Sequence, residues 1–256
     1  SIWPRTGRPT FTLSRTARSS PVLPQRLPVA TPPDNLGGIG PDTGSDVPVI
    51  VVSEIREYPR INAELAQRLD QGHTRVRLAG AEGQRLLLAG LAGSWNAVVE
   101  IEGHAGPELA AELDAPGLTV VCRGAAEDGA GRGLRSGRLL ILGRAGDAVG
   151  YTQTGGSVAV SGPAGHRAGL DMAGGTLLLL GEVGRLAGER QTGGRLFART
   201  GRLGPYAGHA HRGGRLIVIG AGGVLVPPAQ PEDQLAYHTL LEGLSPWLTE
   251  ESPSIP

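Results

Sequence analysis

Residues 137–220 read GRLLILGRAGDAVGYTQTG (137–155), GSVAVSGPAGHRAGLDMAG (156–174), GTLLLLGEVGRLAGERQTG (175–193), GRLFARTGRLGPYAGHAHRG (194–213) and GRLIVIG (214–220). The starts, Gly137, Gly156, Gly175, Gly194 and Gly214, lie 19 or 20 residues apart. Self-similarity at a fixed period of this length marks a repeat architecture in which each unit buries its apolar face only by stacking on its neighbours. Within a turn, a short apolar strand is followed by G-x-x-G-x-x-x-G. The triplets are Gly143, Gly146, Gly150; Gly162, Gly165, Gly169; Gly181, Gly184, Gly188; and Gly201, Gly204, Gly208.

Two weaker turns come before these, AVVEIEGHAGPELAAELDAPG and GLTVVCRGAAEDGAGRGLRSG, and in the first Ala110 stands where the third glycine is due. Alternation along the strands assigns Val120, Leu139, Val158, Leu177, Leu196 and Leu216 to one inward column. Cys122, Ile141, Val160, Leu179 and Val218 form the next. Cys122 is therefore read as a core residue. The recurring glycines are read as structural, at corners that need a positive φ or a backbone approach too close for a Cβ. A G-x-x-G-x-x-x-G repeated after several strands, with no amphipathic helix behind it, is not a dinucleotide-binding turn. The expected fold is an all-β, single-stranded parallel β-helix.

Working outward, residues 1–47 are rich in Pro, Ser, Thr and Arg with isolated hydrophobes, a composition that predicts disorder. The β-helix domain is expected over 48–225. VPVIVV (47–52) reads as a strand, and INAELAQRLDQG (61–72) places Ile61, Leu65 and Leu69 on one stripe of a capping helix. Asn62 is its expected N-cap and Gly72 follows its end. The tail, 226–256, contains QLAYHTLLEGLSPWL, a short helix with Leu235, Leu240, Leu241 and Trp247.

Composition narrows the function. The 42 glycines, 20 prolines and only 4% aromatic residues do not suit an ordinary α/β enzyme. The 24 basic and 24 acidic residues balance, so no global field favours nucleic acid or an anionic membrane, and neither partner is expected. All of the basic charge is arginine. A single cysteine excludes an internal disulfide or a cluster ligated by this chain alone and suits a reducing cytoplasm. No apolar run reaches the roughly 20 residues of a membrane span. No catalytic, cofactor-binding or metal-ligating set stands out. Asp147, His166, Arg185 and Pro205 occupy equivalent positions but form no ligand ladder, and His209 and His211, near Tyr206, lack a third ligand. Asp128 and Asp147 are read as Asx-turn residues at corners.

The outward positions are more informative. Leu140, Leu178, Phe197 and Ile217 alternate with the inward set, so the outer face carries an apolar stripe that must be covered by the terminal segments or by a partner. Arg138, Arg195 and Arg215 begin three turns and could align as a basic edge. Arg138 and the four apolar residues are the candidate interface.

From about Arg60 to Gly223 the chain resembles the GXGXG domain found in the large subunit of glutamate synthase, in stand-alone glutamate-synthase-like proteins and in the C subunit of formylmethanofuran dehydrogenase. INAELAQRLDQG, GQRLLLAGLAG and the glycine triplets carry the likeness. The resemblance implies a right-handed β-helix without catalytic residues, a scaffold subunit in a complex whose other subunits hold FMN and an iron–sulfur cluster. Ala63 departs from the arginine usual after Ile-Asn, and the flavin and amidotransferase domains are absent. Two alternatives are the C subunit of a formylmethanofuran dehydrogenase or formyltransferase/hydrolase complex, and a left-handed β-helix acyltransferase. The latter is opposed by the period, since that fold repeats hexapeptides.

Overall fold

A computed structural model describes residues 47–55, 57–199, 201–227 and 230–248. Apart from Val47, the N-terminal segment expected to be disordered lies outside the described residues. Ten strands form one sheet in strict chain order. They are β1 (Val49–Val51), β2 (Arg75–Glu82), β3 (Ala97–His104), β4 (Asp114–Cys122), β5 (Ser136–Ile141), β6 (Ser157–Val160), β7 (Ala173–Leu179), β8 (Gly193–Arg199), β9 (Arg215–Ile219) and β10 (Leu225–Val226). All neighbours pair in parallel except β10, which turns back antiparallel on β9. One strand per turn, each stacked on the last, makes a β-solenoid of about seven turns.

The register matches the period of the sequence. Val120 pairs with Leu139, then Val158, Leu177, Leu196 and Leu216, and Cys122 pairs with Ile141, then Val160, Leu179, Ala198 and Val218. A second ladder of single bridges runs Ala105, Ala126, Ala145, Ala164, Val183, Leu203 along another side. A strand of four to seven residues is too short to persist alone, and stacking at about 4.8 Å supplies both its hydrogen bonds and its apolar contacts.

The glycine columns differ in cause. A Cβ on Gly143 would lie 2.6 Å from the carbonyl of Gly124, and one on Gly162 would lie 2.6 Å from the oxygen of Gly143, so glycine sits on glycine where coils approach most closely. The third glycine of a triplet instead adopts a left-handed conformation, as at Gly150 with φ +70°. It is flanked by further left-handed residues, Ala148 at φ +56° and Thr152 at φ +51°. Gly201 belongs to neither pattern. Between the pairs Leu179–Ala198 and Val183–Leu203 the offset grows from 19 to 20 residues, and Gly201, at φ +70° with open space where a Cβ would lie, stands where the extra residue is absorbed.

Helix α1 (Tyr58–Asp70) closes the N-terminal end, burying Ile61, Leu65 and Leu69 in the solenoid core. It starts earlier than expected. Glu57 is the N-cap and Pro59 occupies the first turn, where its missing N–H is not needed. Asn62 is therefore not a cap. Its buried side chain bonds the next coil, Nδ2 donating to Leu86 O at 3.0 Å and Oδ1 accepting from Leu88 N–H at 2.9 Å. Gly72, at φ +87°, ends the helix, with its N–H on Leu69 O and the N–H of His73 on Arg68 O, a Schellman closure.

These geometries order three substitutions. Gly146→Ala places a Cβ 2.6 Å from the backbone nitrogen of Asp128 and should destabilise by about 3 kcal/mol or more. Gly150→Ala, strained mainly by its φ, should cost about 1–2 kcal/mol. Ala148→Gly should unfold no earlier than the parent. Urea midpoints followed by far-UV circular dichroism check the order.

Candidate functional site

The outer face of the sheet was the candidate interface. Its central column runs Val121, Leu140, Ala159, Leu178, Phe197, Ile217. All six are buried. Of the two covers expected for Leu140, Leu178, Phe197 and Ile217, a terminal segment or a partner, the structure shows the chain's own tail. Helix α2 (Pro231–Leu244) and the 3-10 turn Ser245–Trp247 lie along the stripe, adding Tyr237, Leu240, Leu244 and Trp247 to the same apolar cluster. Tyr237 meets Phe197 with ring centroids 5.6 Å apart, and burial pushes its phenol pKa up.

The direction of this strap follows from its end contacts. At its start Asp233, fully buried, accepts from Arg195 Nε at 2.8 Å, Arg215 Nε at 3.1 Å and the backbone N–H of Gln230 at 2.9 Å. At its end Trp247 lies under Arg75 and Arg123, whose guanidinium carbons are 5.8 and 5.4 Å from the ring centroid. Glu100, only 3% exposed, holds the same two arginines, at 3.5 Å and 2.7 Å. The tail thus runs from β8 and β9 back to the arginines that Glu100 of β3 holds. About 17 helical residues rise about 25 Å, close to the span of five strand spacings.

The basic edge is accordingly not a solvated one. Arg195 and Arg215 clamp Asp233. Arg138 packs against α2 where the helix carries Gly243, with Nη1 2.9 Å from the position a Cβ would take. Burial lowers its pKa. The last turn of α2 has no basic residue of its own, so Arg138 brings positive charge to the end of the helix where the carbonyls are open.

The corner residues also form a ladder, but of hydrogen bonds. Asp128 Oδ1 accepts from the N–H of Asp147, Asp147 Oδ1 from that of His166, each at 2.7 Å, and His166 Nδ1 from that of Arg185 at 3.1 Å. Each cap reaches the coil above, which corrects the Asx-turn reading for Asp128 and Asp147. The next equivalent residue, Pro205, has no N–H to cap, so the series closes there. Inside the corners the buried amides of Gln153 and Gln191 donate to the carbonyls of Gly155 and Gly193, both at 2.9 Å.

Cys122 is buried in the core column, its thiol directed at the carbonyls of Gly124 and Ala125, and burial raises its pKa to about 11. His209 and His211 lie exposed on the last coil. Among the described residues no three His, Cys, Asp or Glu side chains gather as a metal site, and no helix is long and apolar enough to cross a membrane. Sequence reasoning missed Asp233, Glu100, Gln153 and Gln191. The motif Gln-Pro-Glu-Asp at 230–233 announces a helix start, but nothing in it names the arginines that meet it.

A family model described as the GXGXG motif matches residues 73–227, more than half of the chain. No curated protein matches it.

Two measurements test the strap and the core thiol. Asp233→Ala removes the buried carboxylate that Arg195 and Arg215 share and should cost about 2–3 kcal/mol. The change should be read as earlier proteolysis near residue 230 and new binding of an apolar dye to the bared stripe. Cys122 should resist iodoacetamide at pH 8 in the folded chain and react fully in guanidinium chloride.

Proposed function

The chain belongs to the GXGXG motif family, and on that premise we propose that it is a non-catalytic scaffold subunit of a glutamate-synthase-like oxidoreductase complex. The observation that carries this reading is how the polar groups are used. The corner carboxylates, His166 and the buried glutamines each bond the backbone of a neighbouring turn or of their own corner. Side chains held this way fix the stacking of the coils, and a rigid stack keeps surfaces at set distances from one another.

In this reading the chemistry resides in partner subunits that carry FMN and an iron–sulfur cluster, and this chain sets their spacing. The charged outer rims, where Glu112 meets Arg132 and Asp171 meets Arg190, suit polar contacts with such partners. The second reading, on the same fold, is the C subunit of a formylmethanofuran dehydrogenase or formyltransferase/hydrolase complex.

Affinity purification of the tagged chain from its native cells, with mass spectrometry and an absorbance spectrum of the eluate, separates the two. A stoichiometric flavin-bearing or iron–sulfur subunit is the expected result. An amidohydrolase-like or formyltransferase subunit selects the second reading, and a colourless chain eluting alone defeats both.

A further inference from the structure

The two ends of the solenoid are finished differently. At the N-terminal end α1 covers the core. At the C-terminal end only β9 is covered, by β10 at Val218 and Ile219. The rest of the last coil has no strand paired on it among the described residues. In each coil beneath, three N–H groups and three carbonyls reach up to the next. Val183, Leu186 and Arg190 donate to Arg202, Pro205 and His209, while the carbonyls of Val183, Ala187 and Gln191 accept from Gly204, Gly208 and Arg212. The equivalent groups of the last coil are the N–H groups of Leu203, Tyr206 and Ala210 and the carbonyls of Leu203, Ala207 and His211. None of these has a backbone partner among the described residues. Tyr206 is 70% exposed. Open β edges of this kind are templates for another chain.

We propose that this end docks an acidic loop of a partner chain, which takes the place of the next coil. The charge argument comes from the stack itself. At three corners an acidic residue of one coil pairs with an arginine of the next, Glu112 with Arg132, Asp171 with Arg190 and Glu182 with Arg202. Residues 201–214 carry Arg202, His209, His211 and Arg212 and no carboxylate. An occupant that pairs with these groups as the coils below pair with one another presents Asp or Glu at its corners. A DNA backbone meets the three N–H groups but has no donors for the three carbonyls. A second copy of this chain brings the same cations to face these, and like charges oppose that contact.

The chain contains no lysine, which allows a selective test independent of which complex the chain serves. Arg212→Lys keeps the charge and introduces the only side-chain amine. Carbodiimide treatment of the assembly purified from native cells should then link Lys to an Asp or Glu of a partner chain. Hydrogen exchange at Leu203, Tyr206 and Ala210 should be at least about tenfold slower in the assembly than in the free chain, a change equivalent to about 1.4 kcal/mol. The charge reversal Arg212→Glu should abolish that protection while leaving the circular dichroism spectrum and melting of the free chain intact. Links confined to this chain or to a second copy, protection lost on nuclease treatment, or equal exchange in both states would each overturn the proposal.

Discussion

The structure depends on how closely consecutive coils approach at their corners. A Cβ at Gly143 or Gly162 would lie 2.6 Å from the backbone of the coil beneath, a separation no real side chain tolerates. That approach holds the bridge ladder from Ala105 to Leu203 in hydrogen-bonding contact. It also fixes the height at which Asp128, Asp147 and His166 can reach the N–H one coil up. Widening the corner by the room a methyl needs would weaken the ladder, the caps and the inward columns together, because all three share one spacing. The same spacing brings a second demand. To turn back within so few residues the chain puts every second corner residue into the left-handed conformation, and non-glycine residues such as Thr152, Arg167 and Asp171 accept positive φ there. Each costs about 1–2 kcal/mol, offset by the apolar burial that the turn makes possible.

A solenoid of this narrowness has a difficulty that its core does not solve. A single layer of strands with apolar residues on both faces leaves one face bare. The tail answers this with helix α2, and its charged contacts give the helix a fixed place. Asp233 satisfies its carboxylate with two guanidinium groups and its own N-cap amide, while Glu100 and Trp247 share Arg75 and Arg123 at the far end. Apolar contact alone would let a helix slide along a uniform stripe. The two polar ends set its register, since a shift of one turn breaks both.

The solenoid was legible because its cause is local and repeated. Val120 to Leu216 can be aligned by counting, and glycine at a fixed offset has few physical explanations. The stripe of Leu140, Leu178, Phe197 and Ile217 was legible for the same reason, but its cover was not. Tyr237 and Leu240 could have met the stripe or a core of their own, and only the pairing of Asp233 with Arg195 and Arg215, 38 and 18 residues away in the chain, decides it. Asn62 shows the opposite failure. An asparagine after an isoleucine near a helix start reads as a cap, and Pro59 three residues earlier was the better signal. The corner ladder was missed because Asp, Asp and His look unlike one another as metal ligands, yet all three present an acceptor to an N–H one coil above. Pro205, which looked like a break in the series, marks the place where no acceptor is required.

These features bear on what such a molecule can do. General acid–base chemistry needs a side chain free to gain and lose a proton beside a substrate. Asp128, Asp147 and His166 are each engaged with a backbone N–H of the next coil, and the Cys122 thiol, raised to about 11 by burial, is held away from its nucleophilic form near neutral pH. These four groups are thus engaged in holding the shape of the chain. Among the described residues the molecule presents a set of charged rims at fixed spacing, an outer face closed by its own tail, one end covered by a helix and one end whose backbone groups have no partner. In a stacked fold the open end is also the place where addition is physically simplest. A coil added there meets donors and acceptors already in register and disturbs none of those below.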